Sequence, residues 1–425
     1  MAAGPKAPPW KDVADYCSAR STARCELRRG NAGLRSFENP STLLPRSGAH
    51  DSPGDWNPRL HTRAHALACA VSQGIVTACS IEAALNKSWR SCRSHESPGR
   101  ESQIVKNRVS LVVLWWLVAS VASAADSMRA VVFSGGAFQI QSVPKPQPQP
   151  GQVRIRVRAA SVNPVDWKQI ANLAPGARLI PGRDLAGIID AVGDPDSPWK
   201  AGQPVIAIVT GGSYAEYAIA SINALAAKPE RLSFDEAAGM PVVGETAWRA
   251  LVTIANIQAG QRVLIHGGAG GVGSSAVQIA KVRGAYVIAT ASAAHTELLR
   301  SLGADEIVDY HRVGFEDTLK DVDVVLNTVD TETGARSVRL VKPGGILVSV
   351  AGAGPAAAQC EAAKIRCAVT GHVTGELLGS LTDLAEAGKL RIPIDRRFPL
   401  AEAAQALELN RQGHTGGKII LEVSY

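Results

Sequence analysis

Between Cys92 and Cys360 the chain contains no cysteine, and nowhere does it contain a C-x-x-C pair. That excludes a paired-cysteine zinc or redox motif and a dense disulfide framework. Cys17, Cys25, Cys69, Cys79 and Cys92 lie upstream; Cys360 and Cys367 stand alone in the remainder and read as two buried free thiols rather than a pair. Charge of one sign is also missing from the body. The first 125 residues hold 16 Lys and Arg against 9 Asp and Glu, whereas the other 300 hold 29 of each. The whole formal charge of +7 therefore resides in the leader. A neutral body offers no basic stripe to track a phosphate backbone, which argues against a nucleic-acid partner.

Residues 1–108 lack a sustained helical or strand period. Pro, Ser, Arg and single Trp residues are scattered through them, as in Ser41–Pro58. Such a segment buries too little apolar surface to offset the ordering of its backbone, so a disordered extension is expected. A start site assigned too far upstream would give the same composition. Lys106 and Arg108 then precede an apolar run from Val109 to Ala119, and Ala122-Ser123-Ala124 follows. This is the arrangement of a secretory signal, with cleavage expected after Ala124. The run is short for a stable membrane span. Its position far from Met1 leaves two readings open: export, or a signal-like accident in a cytoplasmic protein.

What the body has in abundance is glycine in one place. The apolar run Val263-Leu264-Ile265 leads into Gly267, Gly268, Ala269, Gly270, Gly271, Val272 and Gly273, and a small-residue helix follows. Gly268, Gly270 and Gly273 form G-x-G-x-x-G between a strand and a helix, the context that gives this pattern its meaning. Glycines permit the tight turn and the close approach of a pyrophosphate, which the helix N-terminus attracts. Val272, Ala276, Ile279, Ala280 and Arg283 share a helical face, and Gly284 stands where a C-terminal cap belongs. A second strand, Ala285–Ala289, ends near Thr290-Ala-Ser292, and no acid appears before Glu297. An NAD-preferring site needs Asp or Glu there to hold the ribose 2′-hydroxyl. NADPH is therefore the expected cofactor, with Ser292 and His295 as donors to its 2′-phosphate. Ser292 also has the chemistry to cap the helix Glu297–Leu302. Further on, Val322–Asn327 reads as a strand. A helix reaching Leu340 is broken by Pro343 and Gly344 before a strand at Ile346–Val350, and a helix 375–387 ends at Gly388.

Upstream, Arg129–Phe133 reads as a strand and Pro144–Gly151 as a loop. Gln152–Ala159 alternates Val153, Ile155 and Val157 with Arg154, Arg156 and Arg158, the period of a half-buried strand. Gly187–Val192, Pro204–Ile208 and Ser213–Ala220 add short strands, as in a small β-barrel-like domain.

Several motifs in order now carry a resemblance. Ser161-Val-Asn-Pro-Val-Asp-Trp-Lys168, Ile180-Pro-Gly-Arg-Asp-Leu-Ala-Gly187, Gly212-Ser-Tyr-Ala-Glu-Tyr217, Thr246-Ala-Trp-Arg-Ala-Leu251, the glycine turn, Gly388-Lys-Leu390 and Gly413-His-Thr-Gly-Gly-Lys-Ile-Ile-Leu421 are similar to those of the medium-chain dehydrogenase/reductase superfamily. The branch resembled is the zinc-free, quinone-oxidoreductase-like one, over Met128–Tyr425. The resemblance implies an α/β fold: a GroES-like β-barrel domain (128–248, completed by 388–425) and a Rossmann domain with a doubly wound parallel sheet (249–387). In zinc-dependent relatives a cysteine ligand falls within the segment matching Ala160–Asp166 and a histidine at Arg183. Here no cysteine is present, and a guanidinium cannot ligate zinc, so no metal is expected.

By resemblance Asn163 lies near the nicotinamide ribose and the substrate carbonyl, Thr246 near the carboxamide, Tyr310 beside the adenosine, and Val350, Ala351 and Gly352 along the nicotinamide. Asn163 before Pro164 is equally suited to a turn. Asp166 and Lys168 are assigned to the cleft wall, Tyr214 and Tyr217 to strand packing, and His266 and His414 to structural roles. The family's aspartate and glycine at the segments matching Asn327 and Asp330 are replaced here. The expected activity is hydride transfer from NADPH to an electrophilic small molecule, a quinone or an activated C=C bond. The alternatives are an enoyl-thioester reductase and a non-catalytic NADPH-binding protein. Relatives are often homodimers.

Overall fold

The computed structural model describes residues 127–350, 352 and 354–424. The leader 1–108, the signal-like segment up to residue 126 and Ala351 lie outside the described residues.

β1 (Ser127–Ser134) and β2 (Ala137–Pro144) form an antiparallel hairpin. β3 (Gln152–Val162), β4 (Asp184–Val192), β5 (Pro204–Ile208), β6 (Tyr217–Ser221) and β7 (Leu225–Ala227) follow. With β14 (Ile394–Pro399) and β15 (Lys418–Glu422) they build a sheet in the order β14-β15-β3-β4-β5-β7, and β6 also pairs with β3. The alternation in β3 sets its faces. Val153, Ile155 and Val157 are fully buried, while Arg154 turns outward to an ion pair with Asp190. Two expectations shift at the edges: β4 starts at Asp184, and the strand expected at Ser213–Ala220 starts only at Tyr217. Before it the backbone turns, and Ala215 makes only an isolated bridge to Ala130.

The second sheet is parallel throughout. Its strands are β8 (Arg262–His266), β9 (Tyr286–Ala291), β10 (Glu306–Asp309), β11 (Val322–Asn327), β12 (Val341–Ser349) and β13 (Arg366–Val369). They lie in the order β10-β9-β8-β11-β12-β13. The order reverses between β8 and β11, and in such sheets the crevice at the reversal, outside the carboxyl ends of the strands, is where ligands bind. Val263, Ile265, Val287, Ala289, Val324 and Leu326 are buried in a core that continues into Ala159, Ile206 and Ile420 of the first sheet. The two sheets thus share apolar packing.

Pro343 and Gly344 were expected to precede a strand, yet they lie within β12. The pairing skips from Val322↔Val341 to Val324↔Ile346, and this bulge takes up a proline that has no N–H to give. The helix expected over 375–387 spans Leu378–Glu386, with Gly388 at φ +68° beyond it.

Cys360 and Cys367 are not free thiols. The helix Ala357–Ala362 packs back on β13, their Cα atoms lie 6.2 Å apart, and they form a disulfide. Seven-residue spacing hid this, because a helix followed by a reversal brings the ends together in a way the sequence interval does not display. Cross-linking so short a loop is worth about 2 kcal/mol through the unfolded chain. Cys360→Ser is therefore expected to lower the free energy of unfolding by that amount and with it the urea midpoint, and a midpoint equal to wild type would show that the pair is reduced in the native protein.

Candidate active site

The glycine turn joins β8 to helix α1 (Gly271–Val282). Gly267 has φ +67°, and a Cβ on Gly273 would stand 2.1 Å from the Gly267 carbonyl oxygen, so neither position accepts a side chain without rearrangement. A Cβ on Gly268 would meet Ala289 at 2.9 Å and one on Gly271 the Lys418 stem at 2.9 Å. Gly270, by contrast, faces open space, with nothing nearer than 3.5 Å. The helix has Gly270 as its N-cap and no side-chain cap, which leaves the first N–H groups, including those of Val272 and Gly273, for an external acceptor. An uncapped positive helix end over a side-chain-free cradle fits a pyrophosphate.

At the end of β9, Thr290 bonds inward, its Oγ1 3.2 Å from His266 Nδ1, and Ser292 is half-buried, its hydroxyl without a hydrogen bond among the described residues. Ser292 does not cap the following helix. It opens the 3-10 turn Ala293–His295, and the helix Thr296–Leu302 has His295 at its N-cap with no side-chain bond. The His295 ring lies against Gly416, where a Cβ would approach within 2.6 Å, so it packs on the C-terminal loop. Tyr310 is exposed and rests on His311. His266 is buried between Thr290 and Ser337, and burial lowers its pKa to about 4, leaving a neutral structural imidazole. Asn327 and Asp330 hold the turn after β11: Asn327 Nδ2 donates to the Asp330 carbonyl, and the Asp330 carboxylate accepts from Thr333 N–H. Gly352, at φ +74°, packs against Thr331. The Ser349 hydroxyl nearby is buried without a partner among the described residues.

Asn163 stands at the N-terminus of helix α2, which precedes α1 in the chain as Pro164–Ala171, and is both a turn residue and part of a buried network. Its Nδ2 donates to Asp184 Oδ2 at 2.8 Å, and its Oδ1 accepts from Lys418 Nζ at 2.6 Å. Lys418 also donates to the Val162 carbonyl at 2.9 Å and lies 3.8 Å from Asp184. Asp184 further accepts from Ser161 Oγ and from the Val242 N–H at 3.0 Å each. Burial pushes Asp184 up and Lys418 down, and each charge opposes the shift of the other. Beside them Asp166 Oδ2 accepts from the Asn163 N–H and from the Tyr214 hydroxyl, while its Oδ1 has no partner among the described residues. Burial raises Asp166 to about 7.

Val242 is the second residue of the helix Pro241–Trp248, whose Thr246 donates its hydroxyl to the Val242 carbonyl at 2.6 Å. On the same helix, Glu245 is buried and its two oxygens accept from the N–H groups of Thr374 and Gly375. The site therefore collects Asn163, Thr246 and the glycine turn around one polar cluster. Tyr310 and His295 sit farther along the nucleotide sheet. The sequence reading missed Lys418 and Glu245 as site residues. A lone lysine opening the apolar run Ile419-Ile420-Leu421 was the available signal for the first; Glu245 offered none.

The family described as "Alcohol dehydrogenase GroES-like domain" matches residues 149–230, and the one described as "Zinc-binding dehydrogenase" matches residues 302–421. The "2-methylene-furan-3-one reductase" of Solanum lycopersicum is 36% identical over 280 residues, covering 62% of this chain and 69% of that protein. The chain belongs to the quinone-oxidoreductase-like branch of the medium-chain dehydrogenase/reductase superfamily. As a member of this superfamily it is an oxidoreductase, with a nicotinamide cofactor. The "NADPH-dependent alkenal/one oxidoreductase, chloroplastic" of Arabidopsis thaliana is likewise 36% identical over 280 residues, covering 62% of this chain and 70% of that one. The structure of the quinone oxidoreductase from Coxiella burnetii shares 33% identity at a TM-score of 0.62, covering 70% of this chain and all 100% of its own. In this superfamily member the parallel sheet in 3-2-1-4-5-6 order and the β-rich domain are the two expected parts, closed by β14 and β15 returning from the C-terminus.

Asp166 generates a pH prediction. Its folded pKa lies above the unfolded value, so its stabilising contribution is complete below about pH 4 and is lost as pH rises through about 7. Asp166→Asn imitates the protonated form, with its amide oxygen in the place of the accepting Oδ2 and its amide nitrogen in the place of the unpartnered Oδ1. The stability of wild type relative to Asp166→Asn should fall by a few kcal/mol between roughly pH 4 and pH 8. Denaturant midpoints of both proteins across that range check it, and parallel curves would mean the carboxyl is ionised throughout.

Proposed function

We propose that this protein is an NADPH-dependent, zinc-independent reductase that delivers hydride to a quinone or to an activated C=C bond next to a carbonyl. The observation that carries the reading is the side-chain-free cradle at Gly267–Gly273 followed by a β9 terminus with no acid, where Ser292 keeps an uncommitted hydroxyl. An aspartate there would repel a 2′-phosphate; a hydroxyl donates to it. His295 adds a second polar edge to the same turn. The names of the tomato, Arabidopsis and Coxiella relatives support the acceptor class.

The donor set supports a metal-independent route. Arg183 is a cation, and Asp184 is saturated by Lys418, Asn163, Ser161 and the Val242 N–H. A bound nicotinamide supplies the hydride; the protein supplies position. Asn163 retains one amide hydrogen and one lone pair beyond its bonds to Asp184 and Lys418, which suits it to orient a ribose or a carbonyl. Thr246 retains acceptor capacity for a carboxamide. The glycine turn and Val272 would hold the pyrophosphate, Tyr310 the adenosine side and Gly352 the nicotinamide. In an enone the hydride reaches the β-carbon, the electron pair moves to the carbonyl oxygen, and water returns a proton to the α-carbon. A homodimer belongs to the same proposal: β13 ends the parallel sheet with Val369 53% exposed.

Two measurements test this. Purified protein is expected to oxidise NADPH with at least one member of a panel of quinones, enones and enoyl thioesters, while tight NADPH binding with no turnover on any of them would establish a binding protein instead. Titration should show NADPH bound at least tenfold more tightly than NADH, and Ser292→Asp should remove that preference, a change of about 1.4 kcal/mol. Equal affinities in the wild type would refute the cofactor assignment.

A further inference from the structure

Beside the polar cluster lies a cavity of about 640 Å³, within the size range of small-molecule pockets. The β-rich domain lines it with Val143, Ile180, Val209 and Thr210, and the nucleotide domain closes it with Val373 and Thr374. The last two belong to the loop that Glu245 clamps, one residue from Thr246. One guanidinium faces this largely apolar space, that of Arg183.

Arg183 is half-buried, and among the described residues its only side-chain hydrogen bond runs from Nε to the Val209 carbonyl at 3.3 Å. Among the described residues no carboxylate lies within 4.0 Å of it, in contrast to Arg154, which meets Asp190 at 2.7 Å. Its Nη1 and Nη2 atoms are thus the free edge of a planar fork. Two acids on the elements around the cavity do not fill that role. Glu245 spends both oxygens on backbone N–H groups, and Glu376 is an exposed rim residue whose charge water screens.

The base of the side chain is fixed on both sides. Gly182, at φ +93°, has no room for a Cβ, which would stand 2.2 Å from the Tyr214 ring. Asp184 is locked in the cluster, and the Arg183 carbonyl accepts from the Val209 N–H at 2.7 Å. A partly dehydrated guanidinium held this way lacks one thing, an anion able to take two parallel N–H bonds, and a carboxylate does so best.

We propose that Arg183 anchors a carboxylate on the acceptor, so that the preferred substrates are acidic enones or quinones whose apolar body fills the cavity and whose acid group lies away from the reacting bond. This inference rests on the reductase reading and deepens it by naming the substrate class.

The test uses matched acceptor pairs, a free carboxylic acid and its methyl ester built on the same enone or quinone, at saturating NADPH. Wild type is expected to favour the acid at least tenfold in kcat/KM. Arg183→Gln should raise KM for the acid about tenfold or more and bring the acid-to-ester ratio close to one, and Arg183→Lys should restore part of the preference. A wild type that prefers the ester, or shows no preference, overturns the anchor. So does an Arg183→Gln variant that loses kcat equally on acid and ester, because the guanidinium would then act on the reacting carbonyl oxygen. If wild type turns over no acceptor, the reductase reading fails separately. The anchor is then decided by calorimetric titration with a saturated, non-reducible carboxylic acid and its ester: acid-selective binding abolished by Arg183→Gln sustains it, and equal binding of acid and ester ends it.

Discussion

Two opposite charges, Asp184 and Lys418, are buried together, and the rest of the site hangs on their pairing. Neither could lie there alone, since an isolated ion in a protein interior costs several kcal/mol. Their mutual attraction is supplemented by the Asn163 amide, the Ser161 hydroxyl, the Val162 carbonyl and the Val242 N–H, so that nearly every polar edge is used. Such a cluster adds little net stability over a well-packed apolar one, but it tolerates only one arrangement of its members. It pins β3, β4 and β15 to the start of the helix that carries Glu245 and Thr246. Residues 255 positions apart in the chain are thereby held in a single register.

The same lysine connects this cluster to the glycine turn. Its aliphatic stem runs under Gly271, and its ammonium reaches Asn163. Side chains long enough to bury a stem and still present a charge are suited to this double contact. The glycine turn and the polar cluster consequently share a wall. A displacement of the last strand would disturb both. Asp166 and Tyr214 form a second layer, and burial there favours a proton-bearing carboxyl, with no positive charge within hydrogen-bond reach among the described residues.

Much of this was legible in the chain. The period-two pattern of Val153, Ile155 and Val157 marked a half-buried strand, and the glycines after Ile265 marked the turn, because both are local demands of backbone and burial. Asn163 was placed at a decisive position and left between a turn and a function; it serves the turn and the cluster at once. The edges of elements were less legible. Pro343 and Gly344 read as the break between a helix and a strand beginning at Ile346, yet a bulge lets β12 run through them, and Ser292 has the chemistry to cap a helix that begins too late for it to reach. Cys360 and Cys367 were separated by an interval that is silent about whether the chain doubles back.

The sequence by itself determined the elements and their chemistry: where strands alternate, where a helix N-terminus must stay bare, and where no acid stands to hold a 2′-hydroxyl. Those are properties of neighbouring residues, set by sterics, hydrogen-bonding capacity and charge over a few positions. Only the tertiary structure decided the partners. Lys418 found Asn163, Glu245 found the 374–375 loop, and Arg183 was left at a cavity with no carboxylate within 4.0 Å of it among the described residues. The reason is that burial and pairing depend on the distance between elements brought together by folding, and no interval along the chain encodes that distance.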